Sequence, residues 1–313
     1  MNKQQERSTK SSKNRLIIIG VGIAIIVVII GVGVNMQNPT YPQTNEPRTV
    51  FWRHVHGLGI DPSDRNILYI ATHGDFYQSV NGGLPIKVDK ERADYMAFNA
   101  PPTTGTPLYA SGHPSTGGNT GLIKSIDGGK TWESVAKVLD PPVDFHAMAV
   151  SKSDPNIIIG FDSGGRGLFK TTDSGKTWET LQYPEYISAL AISPHDPQII
   201  FVGTGKGIFQ SSDDAKNWIQ IEEYKGILVL VLTFDEDGTL YASTSTFGLS
   251  RSHDLGKTWE KIKGPDLTIT SIAVDSQNKI IYVAGYAPEG YQEVFKSSDD
   301  GTSWKIIGTN QEL

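Results

Sequence analysis

The octapeptide Ser125-Ile126-Asp127-Gly128-Gly129-Lys130-Thr131-Trp132 returns four more times down the chain, starting at Thr171, Ser211, Ser252 and Ser297 and ending at Trp178, Trp218, Trp259 and Trp304. A worn copy without the tryptophan, Ser79-x-Asn81-x-Gly83, precedes them. With the third position as marker (81, 127, 173, 213, 254, 299), the intervals are 46, 46, 40, 41 and 45 residues. That is the period of propeller blades built from four antiparallel strands each. The residue types suit a tight turn: Ser or Thr and Asp bond nearby backbone groups, and Gly takes a positive φ. The indole then anchors the turn, a burial of roughly 200 Å² if complete. Five of the six tryptophans sit in this motif, so they are read as packing groups rather than ligand platforms.

The pattern S-x-D-x-G-x-T-W resembles the Asp-box, or BNR, repeat of sialidases, sortilin-type receptor propellers and photosystem II assembly-factor propellers. The resemblance covers Phe51 to the C-terminus and implies an all-β, six-bladed propeller of four-stranded blades. Because enzymes and non-enzymes share the repeat, it leaves function open.

Outward from the repeats, Leu16 to Val34 is an unbroken run of 19 apolar or glycine residues, close to the ~20 needed to cross a bilayer. Lys3, Arg7, Lys10, Lys13 and Arg15 precede it, which orients the N-terminus to the cytoplasm. A cleaved signal peptide is the rival reading, but the run is longer than the usual apolar region of about 7–15 residues. The expected layout is a basic cytoplasmic tail (1–15), a transmembrane signal-anchor helix (16–36), an extended proline-bearing linker (37–50) and the propeller (51–313), a single-pass protein of the cell membrane with its propeller outside. The chain has no cysteine, which excludes disulfides, thiolate catalysis and Cys-ligated metals. A net charge of −6 argues against nucleic acid as a partner.

Within each repeat four strands, a to d from the axis outward, can be placed. In the third blade they are Phe145–Ser151, 157–161, 167–171 and 177–181, with the repeated turn between c and d. The a–b turns carry Asp61-Pro62, Asp154-Pro155, Asp196-Pro197 and Asp237-Gly238, ordinary turn dipeptides, so Asp235–Gly238 reads as a hairpin and not a calcium loop. Antiparallel pairing puts a–b and c–d turns on one face, the bottom. The opposite, top face collects the starts of strands a and the ends of strands b. His195 and His253 fall at the bottom as solvated groups; His54, His56, His73, His113 and His146 fall on top, all within blades 1 to 3.

Setting Leu58-Gly59-Ile60, Met96-Ala97-Phe98 and Met148-Ala149-Val150 level places His56, Asp94 and His146 at one height on three consecutive blades, with Asp144 the counterpart of His54. Imidazole and carboxylate converging from neighbouring strands can bind a divalent transition metal or move protons. The expected metal set is His54, His56, His73, Asp94, His113 and His146. The bland reading is that channel histidines simply hydrogen-bond water and loop carbonyls. No other cofactor is indicated.

Two functions from different classes remain. One is a membrane-anchored propeller that binds a protein or glycan ligand on its top face, with or without a metal. The other is a glycoside hydrolase, for which Asp94, Asp144 and Asp162 are the candidate carboxylates. Resemblance to sialidases implies three arginines around a substrate carboxylate; Arg53, Arg92 and Arg166 are the sole candidates, and the Arg-Ile-Pro segment typical of that family is missing.

Overall fold

The structure, a computed structural model, describes residues 50–310. The expected signal-anchor and most of the linker lie outside the described residues. Among the described residues no helix is long and apolar enough to cross a membrane, and two short 3-10 turns are the helical elements.

Six four-stranded antiparallel sheets follow one another in chain order. The innermost strands are Val55–Ile60, Ala93–Asn99, Phe145–Val150, Ile187–Ile192, Val229–Phe234 and Thr268–Asp275, the third of them within one residue of the Phe145–Ser151 read from the sequence. Each innermost strand neighbours the next, and the sixth neighbours the first, closing the ring. Second strands such as Ile158–Asp162 and Ile200–Thr204 are buried along their whole length. They read as continuous apolar runs because other blades cover both of their faces.

The repeated turn carries the same bonds at every full copy. In the first, Gly129 N donates to Ser125 Oγ (2.9 Å), Thr131 N to Asp127 Oδ1 (2.9 Å) and Thr131 Oγ1 to Asp127 Oδ2 (2.7 Å). The bonds recur around Asp173, Asp213, Asp254 and Asp299. Gly175 has a φ of 92°, and a Cβ there would lie 2.8 Å from Val135 Cγ1 of the preceding blade. The third copy holds Ala215 at a φ of 64° instead.

The five tryptophans of the repeated turns are half-buried rather than fully buried. Each lies over the seam to the preceding blade: Trp178 packs against the cluster of Tyr109, Leu122 and Val135, and Trp259 joins Phe201 and Tyr224. Blade 1 has no tryptophan in its worn turn, and Trp52, 3% exposed, fills the seam with blade 6 against Tyr282, Val294 and Ile307. Val50 N donates to Thr309 O (2.7 Å) and Asn310 Nδ2 to Trp52 O (3.3 Å). The last blade thus owns all four of its strands, and the segment before blade 1 caps its outer edge.

Candidate functional site

Five of the six innermost strands carry one extra residue at the same height: His56, Ser188, Leu230, Thr270 and His146. Such bulges aim a side chain out of the regular pleat, and all five residues line the axial channel. Blade 2 differs. Its irregularity lies between Met96 and Asn99, where Ala97 has a φ of 46°, and Asn99 pairs with Tyr109 as Gly59 pairs with Tyr69. The sequence register for this strand was therefore two residues off. Asp94, opposite His113, stands level with His54 and Asp144, not with His56.

That correction regroups the candidates into a repeated contact between blades. The residue ending strand b of one blade meets the residue opening strand a of the next. Tyr286 Oη bonds His54 Nδ1 (2.9 Å) from blade 6 to blade 1. His73 Nδ1 lies 3.1 Å from Asp94 Oδ2, from blade 1 to blade 2. His113 Nε2 lies 3.6 Å from Asp144 Oδ2, from blade 2 to blade 3. Tyr186 Oη donates to Ser163 O (3.0 Å) at the same level of the next seam.

The densest group is at blades 2 and 3. One ligand atom each from His113, Asp144 and His146 lies within 4.8 Å of the others. His146 Nε2 is 2.9 Å from Asp144 Oδ2, which also accepts from Ser163 Oγ at 2.6 Å. His113 Nδ1 donates to the carbonyl of Gly118 (3.1 Å), which turns Nε2 toward Asp144. Asp144 is buried, and its Oδ1 has no hydrogen-bond partner. Burial alone would push this carboxyl up, but bonds from His146 and Ser163 outweigh it and hold the group below its ordinary value.

Asp162 and Arg166 form the support beneath. Asp162 Oδ1 accepts from Asp144 N (2.9 Å) and Arg166 Nη2 (2.7 Å), and Oδ2 from Arg166 Nε (2.9 Å). Arg166 also donates to the carbonyls of Pro141 and Pro142. Burial works to raise the Asp162 carboxyl, and the guanidinium more than reverses this. Asp162 is therefore a positioning group and not a free catalytic carboxylate, and Arg166 is withdrawn from any arginine triad. Arg92 faces Asp75, with Nε 3.6 Å from Oδ1. The roles of Ser163 and Gly118 carry no signal in the sequence, since each is set by contacts across a loop.

The second group is at blade 1. His54, His56 and His73 have ring centroids 6.0–6.1 Å apart pairwise. His56 Nε2 is shielded from solvent and without a partner. Its burial, with the neighbouring histidines adding to it, lowers its pKa to about 4. Beside this group a groove is lined by Arg53, Tyr286, Gln292 and Asn310. At the bottom, His195 and His253 are exposed but not merely solvated, bonding Asp237 O (3.0 Å) and Thr239 Oγ1 (3.1 Å). Asp235 Oδ1 accepts from Thr239 N (2.8 Å), confirming the hairpin there.

No family model matches the chain, and no curated protein matches it. Among solved structures it is similar to a GH74 enzyme of Niastella koreensis, 19% identical over 84% of this chain and 47% of that one, with a TM-score of 0.61. It is similar also to the GH74 xyloglucanase of Xanthomonas campestris, at 16% identity over 83% and 46% of the two chains and a TM-score of 0.56. A third is virginiamycin B lyase of Staphylococcus aureus, at 12% identity over 84% and 87% and a TM-score of 0.56. The chain spans about half the length of the two GH74 proteins. These likenesses establish the propeller fold and nothing finer.

Proposed function

We propose that this chain is a membrane-anchored, extracytoplasmic Asp-box propeller whose top face binds a divalent transition-metal ion through His113, Asp144 and His146. The observation that carries the reading is the convergence of those three ligand atoms within 4.8 Å, with Asp144 Oδ1 buried and unpartnered beside them. Two imidazoles and a carboxylate suit zinc or a neighbouring first-row ion. Ser163 and Gly118 orient two of the ligands, the arrangement that outer partners take around metal-binding side chains. An ion entering the cluster takes the place of the proton between His146 Nε2 and Asp144, so binding competes with protonation of the ligands and weakens in acid. The apolar run at 16–36 and the basic residues before it support the anchor, and the groove beside His54 is where a protein or glycan ligand would lie.

Glycoside hydrolysis is the weaker reading. Its candidate carboxylates are otherwise engaged, Asp162 by Arg166, Asp94 by His73 and Asp144 by His146. Calorimetric titration of the full-length chain with zinc tests the proposal. The wild type should bind, and Asp144→Ala with His146→Ala should lose that heat while melting as a folded propeller. Equal binding by the double variant would defeat it.

A further inference from the structure

The axial channel carries at its base a group that the ion site on the top face does not use. One cavity of about 190 Å³ follows the six innermost strands, from His56, His146 and Thr270 at the top to Arg65, Lys152 and Glu236 at the bottom. Sites for drug-sized ligands occupy about 300–1,000 Å³, so this one suits a smaller molecule.

Charges bridge the bottom mouth. Arg65, in the turn after the inner strand of blade 1, donates through Nη2 to Glu236 of blade 5 (2.8 Å) and through Nη1 to Asp275 of blade 6 (3.1 Å). Lys152 follows the inner strand of blade 3, Phe145–Val150, across the ring from blade 6. It is half-buried and is the one lysine among the described residues that line the channel. Among the described residues its amine has neither an ion pair nor a hydrogen bond, because Arg65 already occupies the carboxylates of Glu236 and Asp275. Lys170 shows the contrast, with Nζ 2.5 Å from Asp214.

A lysine enclosed by protein gives up its proton more readily than a solvated one. Enclosure lowers the pKa of Lys152, Glu236 and Asp235 work against this, and Arg65 works with it. A desolvated lysine, or one beside a second cation, is an amine activated toward carbonyl groups.

We propose that Lys152 is a reactive amine that condenses with a small neutral aldehyde entering the channel from the top face. Nζ gives its lone pair to the carbonyl carbon, the carbonyl oxygen takes both amine hydrogens and leaves as water, and a C=N bond replaces C=O. No oxidant or reductant is consumed. Three carboxylates, Asp235, Glu236 and Asp275, stand against one guanidinium at this end, which disfavours an anionic keto acid. The reaction asks nothing of His113, Asp144 and His146 as ion ligands, so either assignment can fail alone.

Reductive trapping tests the proposal. The full-length chain is treated with propionaldehyde and sodium cyanoborohydride at neutral pH, and N-propylated lysines are followed over time by peptide mass mapping. Lys152 should be labelled about tenfold faster than the exposed Lys206 and Lys225. A dextran-linked aldehyde, too large for the channel, should label Lys206 and Lys225 and leave Lys152 untouched. Labelling of Lys152 by propionaldehyde at or below the rate of the two surface lysines overturns the proposal. A fast phase that survives in Lys152→Met overturns it as well, since another amine would then be the reactive one.

Discussion

At the scale of single residues, the molecule is organised around Asp144, which collects His146, His113 and Ser163 while Asp162 and Arg166 fix its backbone. Arg166 touches no ligand atom of the cluster, so its effect would be one of positioning. Arg166→Met should lower zinc affinity by about 10–100-fold, the usual cost of removing an outer partner. A merely structural role would lower the melting temperature with zinc affinity unchanged, and calorimetry on the folded variant separates the two. The histidines and carboxylates themselves were legible in the sequence, because the repeat period placed them on one face. Their grouping was not. Met96-Ala97-Phe98 imitates the apolar triplets of the other inner strands, and a bulge displaced toward the end of a strand leaves no mark in local composition. Only the pairing of Asn99 with Tyr109 reveals that Asp94 belongs with His73.

At the scale of the element, the repeated turn has a pH signature. Hydrogen bonds from Thr177, Asn217 and Thr258 hold Asp173, Asp213 and Asp254 at about 2, below the ordinary ~3.9 of an unfolded Asp. A depressed carboxyl contributes stability that is complete above the unfolded value and disappears as pH falls through the folded one. His56 acts in a higher window. Its folded value of about 4 lies below an unfolded ~6.5, so the stability tied to its neutral form is complete above ~6.5 and lost on the way down to about 4. Metal-free protein should therefore lose thermal stability in two stages. His56→Gln should flatten the stage between about pH 6.5 and 4, and Asp173→Asn should shrink the one below about 4. A single stage, indifferent to His56, would contradict the assignment. The turns were legible because five near-identical copies specify them; the half-exposure of their tryptophans was not, since it depends on how far each blade overhangs the previous one.

At the scale of the whole molecule, a ring of six blades closes without exchanging a strand between first and last. Trp52 supplies at the seam of blades 6 and 1 what the repeat supplies elsewhere, and the sequence marked it as the one tryptophan outside a copy of the motif. The chemistry is confined to half the ring, since the strand a bulges of blades 4 to 6 offer Ser188, Leu230 and Thr270 in place of histidine. Intact cells treated with protease should lose the propeller while residues 1–15 stay protected; survival of the propeller on intact cells that yield it after lysis would reverse the proposed topology. The central claim, an ion held by His113, Asp144 and His146, is tested most directly by an anomalous-difference map of zinc-grown crystals. It predicts a peak within coordinating distance of a nitrogen of each histidine and of an Asp144 carboxylate oxygen, at about 2.0–2.2 Å. A map with zinc bound elsewhere on the propeller, and no peak between these three side chains, would contradict it.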